Sequence, residues 1–356
     1  MARKLMKGNE AIAQAAILGG ADVFFGYPIT PQNEIPEYLS KAMLANNRIF
    51  VQGESEVASI NMVYGAAGAG ARAITSSSSP GIALMQEGIS YIAGAQLPCV
   101  IVSVMRGGPG LGGIQPSQSD YNQATRGGGN GDYHTLVYAP ATIQESVDIL
   151  KESFAIADYY RNPVMVLVDG LIGQMMEVVD FDKPLANRIL PDKKTWATIG
   201  TKNHEGRNVV NSLYLNPYEL EEHNHKLQKK YDLMIQNETK YEALNLEQAQ
   251  YIVVAYGTTA RIAKNALRHL NEQGHHVGMI RPITLWPFPQ KAFANLKNCK
   301  GILCVEMNLG QMVEDIKVAL NHQDIPVHFF GRTGGVIPEV EEIITAIKNM
   351  MQNRKE

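Results

Sequence analysis

The stretch GESEVASINMVYGAAGAGAR, residues 53–72, places two carboxylates, Glu54 and Glu56, directly before a long segment of apolar and small residues. Apolar side chains recur in it at helical spacing and predict one buried helix face: Val57, Ile60, Tyr64 and Ala71. The run 65–70 contains only glycine and alanine. Because glycine is a poor helix former, so small a run predicts that another element approaches this helix closely.

The two carboxylates have two interpretations. The N-terminus of a helix carries a partial positive charge, so Glu54 and Glu56 could be ordinary acids of a first turn or cap. A buried carboxyl could instead hydrogen-bond a heterocycle nitrogen. The stretch by itself favours the ordinary interpretation.

The composition bounds the class of protein. With 356 residues, 45% hydrophobic and 19% charged, the chain can form two domains with ample core. A net charge of -3 gives no reason to expect nucleic acid or an anionic membrane as partner. Three cysteines without C-x-x-C spacing argue for a reducing compartment and against a disulfide framework or an iron–sulfur cluster in this chain. We find no signal peptide or bilayer-spanning run and expect a cytoplasmic protein.

Apolar runs alternate with amphipathic segments along most of the chain, which predicts an α/β fold with parallel sheets flanked by helices. Predicted strands cover 23–25, 73–76, 99–104, 164–168, 251–257, 277–280, 301–306 and 327–330, and predicted helices cover 8–18, 34–44, 82–95, 143–160, 260–273 and a segment from 311. We expect a first domain at 1–180 and a second at 247–356. Between them, 181–246 is a polar connector, with a helix predicted over 218–246.

Three loops follow predicted strands of the first domain, where open α/β sheets bind their ligands. The loop YPITP holds Thr30 between two prolines, the turn 76–81 is rich in serine, and Arg106 precedes the glycine-rich run 107–113. The arginine fork suits a carboxylate, and the serine turn suits polar groups. Each loop also has an ordinary interpretation. YPITP could be a simple turn, the serine turn could be an N-cap cluster, and Arg106 could form a surface salt bridge.

Other candidates are less specific. The glycine-rich loop 127–132 is either a lid or a plain loop. Arg126 beside it is either a second cation, for a substrate with a second carboxylate, or a surface residue. The loop 331–335 could hold an anion or dock a partner. Three histidines in or near the connector lack supporting ligands and are expected to be solvated: His204, His223 and His225. No nucleotide-binding glycine motif occurs.

Taken together and in order, the motifs YPITP (27–31), ESE (54–56), SSSSPG (76–81), RGGPG (106–110) and RPITLWPFP (281–289) are specific. With them the chain resembles, over nearly its full length, the alpha subunit of 2-oxoacid:ferredoxin oxidoreductases. It is most similar to the 2-oxoisovalerate (3-methyl-2-oxobutanoate) type. The resemblance implies a thiamine-diphosphate pyrimidine-binding domain followed by a transketolase C-terminal-like domain.

The resemblance also implies roles for individual residues. Glu56, aligned on the Val-Tyr-Gly that follows it, matches the glutamate that hydrogen-bonds the aminopyrimidine ring and stabilises its imino tautomer. Arg106 matches a position that binds the substrate carboxylate, and Thr30 one that contacts an oxo or carboxylate oxygen. Ser78 and Ser79 of the serine turn are the further candidates for binding the cofactor. No metal ligand is expected in this chain.

The family's Gly-Asp-Gly motif, which holds the diphosphate and magnesium, does not occur here. The resemblance therefore implies a beta subunit that brings the diphosphate–magnesium site and an iron–sulfur cluster, and gamma and ferredoxin-like subunits. The expected reaction is oxidative decarboxylation of a branched-chain 2-oxo acid, with coenzyme A as acyl acceptor and ferredoxin as electron acceptor. The isolated chain is expected to be inactive. The alternatives are a 2-oxoglutarate enzyme, a decarboxylase or transketolase-like component without redox partner, and a non-catalytic assembly subunit.

Overall fold

The computed structural model describes residues 3–202, 206–321 and 323–352, which form two α/β units, each with its own sheet, and a small two-stranded antiparallel sheet. The strands are β1 (Lys4–Lys7), β2 (Val23–Gly26), β3 (Ile49–Gln52), β4 (Ala73–Ser77), β5 (Cys99–Met105), β6 (Leu136–Tyr138), β7 (Pro163–Asp169), β8 (Met176–Val179), β9 (Tyr241–Leu244), β10 (Tyr251–Val254), β11 (Val277–Pro282), β12 (Thr284–Trp286), β13 (Gly301–Glu306) and β14 (Val327–Gly331). The α-helices are α1 (Gly8–Gly19), α2 (Glu34–Ala45), α3 (Glu56–Gly68), α4 (Ser79–Gly94), α5 (Tyr121–Arg126), α6 (Ile143–Tyr160), α7 (Gly170–Gln174), α8 (Pro217–Glu238), α9 (Gly257–Glu272), α10 (Met312–Leu320) and α11 (Val340–Gln352).

The first sheet has seven strands in the order β12-β6-β7-β5-β4-β2-β3. Its six strands from β6 to β3 are parallel, and β5 and β7 are buried along their whole length. Such continuous apolar burial is typical of a parallel strand covered on both faces. Since these strands are parallel, the chain leaves β2, β3, β4 and β5 at one edge of the sheet.

Helices cover both faces of the first sheet. On one face, Ile74 and Val100 pack against α1, α2 and α6. On the other, Ala73, Cys99 and Ile101 pack against α3 and α4. The alternation of side chains along a strand sends neighbouring residues to opposite faces, which builds two cores from one sheet.

The second sheet has the order β14-β13-β10-β11-β9, in which only β9 is antiparallel. Helices α9 and α11 cover one of its faces, and α10 packs on the other. The predicted α/β class, with a parallel sheet in each half of the chain, is confirmed.

The two sheets are joined by a short crossing segment and by buried polar contacts. The segment 281–289 begins at the end of β11 of the second sheet and contains β12, which pairs with β6 of the first sheet. At the end of β7, Asp169 accepts hydrogen bonds from the amide (2.8 Å) and hydroxyl (2.6 Å) of Thr258 in α9. The Gln118 side chain bonds Tyr256 O at 2.8 Å and Met307 N at 3.0 Å. These contacts fix one half of the chain against the other.

The connector differs from its prediction in two respects. The helix α8 ends at Glu238 rather than 246, because Tyr241–Leu244 forms β9 at the edge of the second sheet. His223 was wrongly predicted to be solvated: its ring Nε2 lies 2.7 Å from Gly94 O, and Tyr214 contacts its Nδ1 at 3.2 Å. His225 is exposed, as predicted, and His204 lies outside the described residues.

The central helix α3 forms where predicted, but its buried face is different. Val57 is 44% exposed, and Ala71 lies beyond the helix end. The buried positions are Glu56, Ser59, Ile60, Val63, Ala67 and Gly68. The close approach occurs at Gly88 of α4, where a Cβ atom would lie 2.5 Å from Cγ2 of Ile60, and not at Gly65, where a Cβ would meet no described atom within 4 Å.

Within the described residues, no helix has both the length and the apolar character that a membrane span requires. None of the three cysteines, all of which lie within the described residues, forms a disulfide. Burial raises the pKa of the Cys99 thiol to about 12, so this thiol is protonated and unreactive at neutral pH.

We expect Gly88→Ala to lower the midpoint of thermal unfolding, followed by circular dichroism. The new methyl group would lie 2.5 and 2.9 Å from two carbons of the buried Ile60 side chain, and such overpacking costs about 1–3 kcal/mol. Gly65→Ala is the matched control: it has open space, and alanine favours a helix over glycine by roughly 0.5–1 kcal/mol. Equal midpoints for the two variants would contradict this account of the α3–α4 contact.

Candidate active site

The candidate residues gather at the carboxyl edge of the first sheet, because neighbouring parallel strands end there. Thr30 follows β2, Glu56 follows β3, Ser78 follows β4, and Arg106 follows β5. With Ser79, we call these residues the carboxyl-edge site. Residues far apart in sequence thus lie at the one edge where open α/β sheets bind ligands.

Glu56 is the first residue of α3 and is 6% exposed, whereas Glu54 is exposed. Ser55 caps the helix: its Oγ accepts a hydrogen bond from Ala58 N at 3.1 Å. The capping function therefore belongs to Ser55. In the part of the chain that the structure describes, the Glu56 carboxylate makes no hydrogen bond or ion pair, and the partial positive charge of the helix N-terminus is its main compensation.

Gly81 makes room for the Glu56 carboxylate. A Cβ atom on Gly81 would lie 2.7 Å from Glu56 Oε1 and 2.1 Å from Ser77 Oγ. Both oxygens are therefore directed toward the backbone of the first turn of α4. No other residue type fits at position 81 without displacing one of them.

The serine turn contains both engaged and unengaged hydroxyl groups. Ser76 Oγ donates to Gln32 Oε1 at 2.6 Å and links the turn to the loop after β2. Ser78 is the N-cap of α4 but makes no capping hydrogen bond. Ser77 Oγ and Ser78 Oγ are buried without a hydrogen-bond partner among the described residues. A buried hydroxyl without a partner costs free energy, so these groups fit a polar ligand or partner that completes them.

Arg106 is 9% exposed, which excludes a surface salt bridge. Its Nη1 donates to Thr30 O at 2.9 Å and its Nη2 to Leu111 O at 3.0 Å. Its Nε is buried without a partner, and no carboxylate of the described residues forms an ion pair with it. Among the described residues, only carbonyl oxygens accept hydrogen bonds from this guanidinium, which suits it to bind an anion.

Asp120 was missed at the sequence level. It is 9% exposed, and its Oδ2 accepts a short hydrogen bond from Ser79 Oγ. Burial raises the pKa of Asp120 to about 6, although the Ser79 hydrogen bond and the charge of Arg106 act in the opposite direction. No local pattern marks this residue, since both partners are distant in sequence.

Buried polar contacts hold the loop that carries Thr30. Asn9 in the first turn of α1 donates to Pro31 O and to Glu34, each at 2.8 Å. Burial raises the pKa of Glu34, but hydrogen bonds from Asn9 and Gln174 and the charge of Lys7 bring it below the usual value. Glu34 is therefore ionised at neutral pH and anchors the loop.

A cavity of about 430 Å³ opens beside Thr30. It is lined by Ile114 and Gln115 of the loop after Arg106 and by Ile337 of the second half of the chain. Of the five residues of the carboxyl-edge site, Thr30 alone lines it. Glu56 and Ser78 thus lie outside this cavity.

The less specific candidates take part in intramolecular contacts. Arg126 pairs with Asp315 of α10 at 3.1 Å and is not a free cation. In the loop 127–132, the Gly128 amide donates to Gln86 of α4 at 3.0 Å. In the loop 331–335, Gly335 lies against Gln115, where an added Cβ would be 2.3 Å from the Gln115 Cβ.

No group of three or more histidine, cysteine, aspartate or glutamate side chains has an arrangement suited to a metal ion within residues 3–202, 206–321 and 323–352. The site instead consists of hydroxyls, one carboxylate and one guanidinium. These groups can bind by hydrogen bonds and charge.

Two families match successive parts of the chain. Residues 14–242 match the family described as pyruvate flavodoxin/ferredoxin oxidoreductase, thiamine-diphosphate-binding. Residues 249–343 match pyruvate:ferredoxin oxidoreductase core domain II. The first match covers Thr30, Glu56 and Arg106, and the second covers the second sheet from β10 onward.

Relatives match the chain over almost its whole length. It is 46% identical to the ketoisovalerate oxidoreductase subunit VorB of Methanothermobacter thermautotrophicus, covering 98% of both chains. It is 33% identical to the 2-oxoglutarate synthase subunit KorA of Methanocaldococcus jannaschii, covering 97% of this chain and 99% of that one.

Solved structures share the fold. The 2-oxoglutarate:ferredoxin oxidoreductase from Magnetococcus marinus, solved with 2-oxoglutarate, coenzyme A and succinyl-CoA bound, matches with a TM-score of 0.89 and 28% identity. The match covers 98% of this chain and 65% of that one. A split-gene transketolase, an inactive beta4 tetramer, matches with a TM-score of 0.60 and 13% identity, which shows the fold alone. The resemblance found in the sequence is confirmed, and the chain belongs to the thiamine-diphosphate-binding pyruvate flavodoxin/ferredoxin oxidoreductase family.

Proposed function

We propose that this chain is the alpha subunit of a 2-oxoacid:ferredoxin oxidoreductase that acts on branched-chain 2-oxo acids. In this reaction a 2-oxo acid anion, coenzyme A and two oxidised ferredoxins give an acyl-CoA, carbon dioxide, two reduced ferredoxins and a proton. The observation that carries the proposal is the buried Glu56 carboxylate, unpartnered among the described residues, beside two unpartnered serine hydroxyls at the carboxyl edge of the sheet.

Glu56 and Ser78 would hold the aminopyrimidine end of thiamine diphosphate. The carboxylate accepts a hydrogen bond from a ring nitrogen, and the Ser78 hydroxyl, buried without a described partner, can donate or accept another. When bound, the cofactor supplies a carbon nucleophile and an electron sink for decarboxylation. Ser79 belongs to the same turn and was predicted to bind the cofactor, but its hydroxyl is already bonded to Asp120 and Arg106.

Arg106 and Thr30 would bind the substrate. A buried guanidinium without a carboxylate partner can take the substrate carboxylate, and the Arg106 bond to Thr30 O places the Thr30 side chain beside it. Holding the carboxylate orients the neighbouring oxo carbon toward the cofactor, which lowers the entropic part of the barrier.

Partner subunits would complete the site. Glu56 lies outside the cavity beside Thr30. Exposed apolar side chains on α3 and α4 support a protein partner there: Val57, Met62, Leu84 and Tyr91. We propose a beta subunit that brings the diphosphate–magnesium site and an iron–sulfur cluster, with gamma and ferredoxin-like subunits, in a cytoplasmic complex. Residues 1–180 would act as the pyrimidine-binding domain, 181–246 as the connector and 247–356 as the second domain.

A branched-chain substrate is favoured over 2-oxoglutarate by two observations. The relatives at 46% identity include a ketoisovalerate oxidoreductase subunit, whereas the 2-oxoglutarate synthase subunit is 33% identical. In addition, Arg126, the candidate for binding a distal carboxylate, is paired with Asp315. A 2-oxoglutarate substrate would need another cation.

In the complex purified through a tag on this chain, we expect Glu56→Gln to lower turnover by roughly 10²-fold or more. An amide cannot exchange a proton with the aminopyrimidine ring as a carboxylate can. Glu54→Gln is the matched control, since it makes the same change two residues earlier on an exposed side chain. Turnover is measured as coenzyme-A-dependent reduction of ferredoxin. Wild-type turnover in Glu56→Gln would favour a non-catalytic assembly subunit.

Gly81→Ala is expected to reduce turnover at least tenfold at saturating thiamine diphosphate, because its methyl group would displace the Glu56 carboxylate or the Ser77 hydroxyl. Gly94→Ala in the same helix is the control, because its Cβ would be 3.4 Å from the nearest described atom, an ordinary contact. If both variants retain full turnover, the position of the Glu56 carboxylate does not matter.

With wild-type complex, we expect reduction of ferredoxin or a viologen dye by 2-oxoisovalerate, dependent on coenzyme A and thiamine diphosphate. Reduction by 2-oxoglutarate alone would keep the reaction class and overturn the substrate. The isolated chain is expected to give no reduction, because the diphosphate site and the clusters would lie in partners. Activity of the isolated chain would contradict the shared site, and an active complex without iron–sulfur absorbance would indicate a decarboxylase or transketolase-like component.

A further inference from the structure

Asp120 does not cap the helix that it precedes. It occupies the N-cap position of α5, where a carboxylate normally accepts a hydrogen bond from an amide of the first turn. It makes no such bond, and the amide of Asn122 donates instead to Gln311 Oε1 at 2.8 Å. The carboxylate is directed to Ser79 Oγ at the start of α4. The buried Asp120 carboxylate thus contacts Ser79, which is distant in sequence, instead of capping its own helix.

The Ser79 hydroxyl connects Asp120 to Arg106. Its oxygen accepts a hydrogen bond from Arg106 N at 3.0 Å, and it lies 3.2 Å from Arg106 O. A hydroxyl has one proton to donate, and the Asp120 carboxylate competes for it with the Arg106 carbonyl. An ionised carboxylate is the stronger acceptor. Asp120 therefore sets the orientation of the hydroxyl, with a lone pair directed at Arg106 N.

The backbone at Arg106 in turn sets the position of its guanidinium. Arg106 is the first residue after β5, and its two terminal nitrogens bond only loop carbonyls, those of Thr30 and Leu111. No described carboxylate holds the guanidinium itself, so its position depends on the backbone at residue 106. Arg106 forms an isolated antiparallel bridge with Pro116, in which the Gly107 amide bonds Gln115 O at 3.0 Å. The Arg106 amide itself is held by the Ser79 hydroxyl.

We propose that Asp120 is a positioning residue for Arg106: through Ser79, its carboxylate holds the guanidinium where the carboxylate of the 2-oxo acid binds. This inference rests on the proposed function. With a pKa of about 6, Asp120 is ionised at neutral pH, as the arrangement requires. Its negative charge also offsets part of the cost of burying Arg106 without an ion pair. Ser79 then serves the substrate side of the site rather than the cofactor.

The test compares Asp120→Ala, Asp120→Asn and Ser79→Ala in the purified complex. We expect the KM for 2-oxoisovalerate to rise about tenfold or more in Asp120→Ala, because a small displacement of a bidentate clamp is costly. Asp120→Asn keeps an acceptor oxygen for Ser79 and should raise the KM less. The apparent affinity for thiamine diphosphate should stay at the wild-type value in all three. Combining Asp120→Ala with Ser79→Ala should raise the KM no further than one change alone.

Asp324→Asn is the control, because Asp324 is exposed and lies just before β14, an edge strand of the second sheet. A wild-type KM in Asp120→Ala would overturn the inference, as would a weaker affinity for thiamine diphosphate or KM effects that multiply in the double variant. If Asp120→Ala fails to assemble, Asp120→Asn decides: an unchanged KM overturns the inference and a raised KM supports it. A wild-type complex inactive with every 2-oxo acid would instead overturn the proposed function.

Discussion

The parallel pairing of β2, β3, β4 and β5 is the constraint on which the site depends. Each strand leaves the sheet at the same edge, so the residues that follow them become neighbours whatever their separation in sequence. An antiparallel partner would send alternate loops to the other edge. The long apolar strands, whose burial on both faces stabilises the sheet, therefore also position polar side chains that contribute little to stability.

Two glycines of α4 then determine how closely the side chains of α3 approach α4. Gly88 lets Ile60 pack against the backbone of α4, and Gly81 leaves space for Glu56 beside Ser77. The two glycines lie in the same helix, about two turns apart. Glycine within a helix costs roughly 0.5–1 kcal/mol relative to alanine, so close contact between α3 and α4 is obtained at the expense of helix stability.

The sequence predicts the parts of this arrangement that are local. The buried strands β5 and β7 are evident as continuous apolar runs, and the carboxylate pair Glu54 and Glu56 marks the start of α3. It cannot predict β12, because a three-residue strand carries no periodic signal and the partner strand β6 lies in the other half of the chain. Nor can it separate the exposed Glu54 from the buried Glu56 by spacing alone, and Asp120 is recognisable only through distant contacts.

The polar groups of the carboxyl-edge site differ in how they are satisfied. Arg106 and Ser79 are bonded to neighbours within the chain, whereas Glu56 and Ser78 have no partner among the described residues. Each buried group without a partner costs about 1–3 kcal/mol, more if it is charged, so a fold selected for its own stability alone would replace them. The proposed sharing of the site with another subunit and a cofactor would account for the difference. The bonded groups hold the site in shape, and the unbonded groups form the surface that the proposed ligand and second subunit would complete.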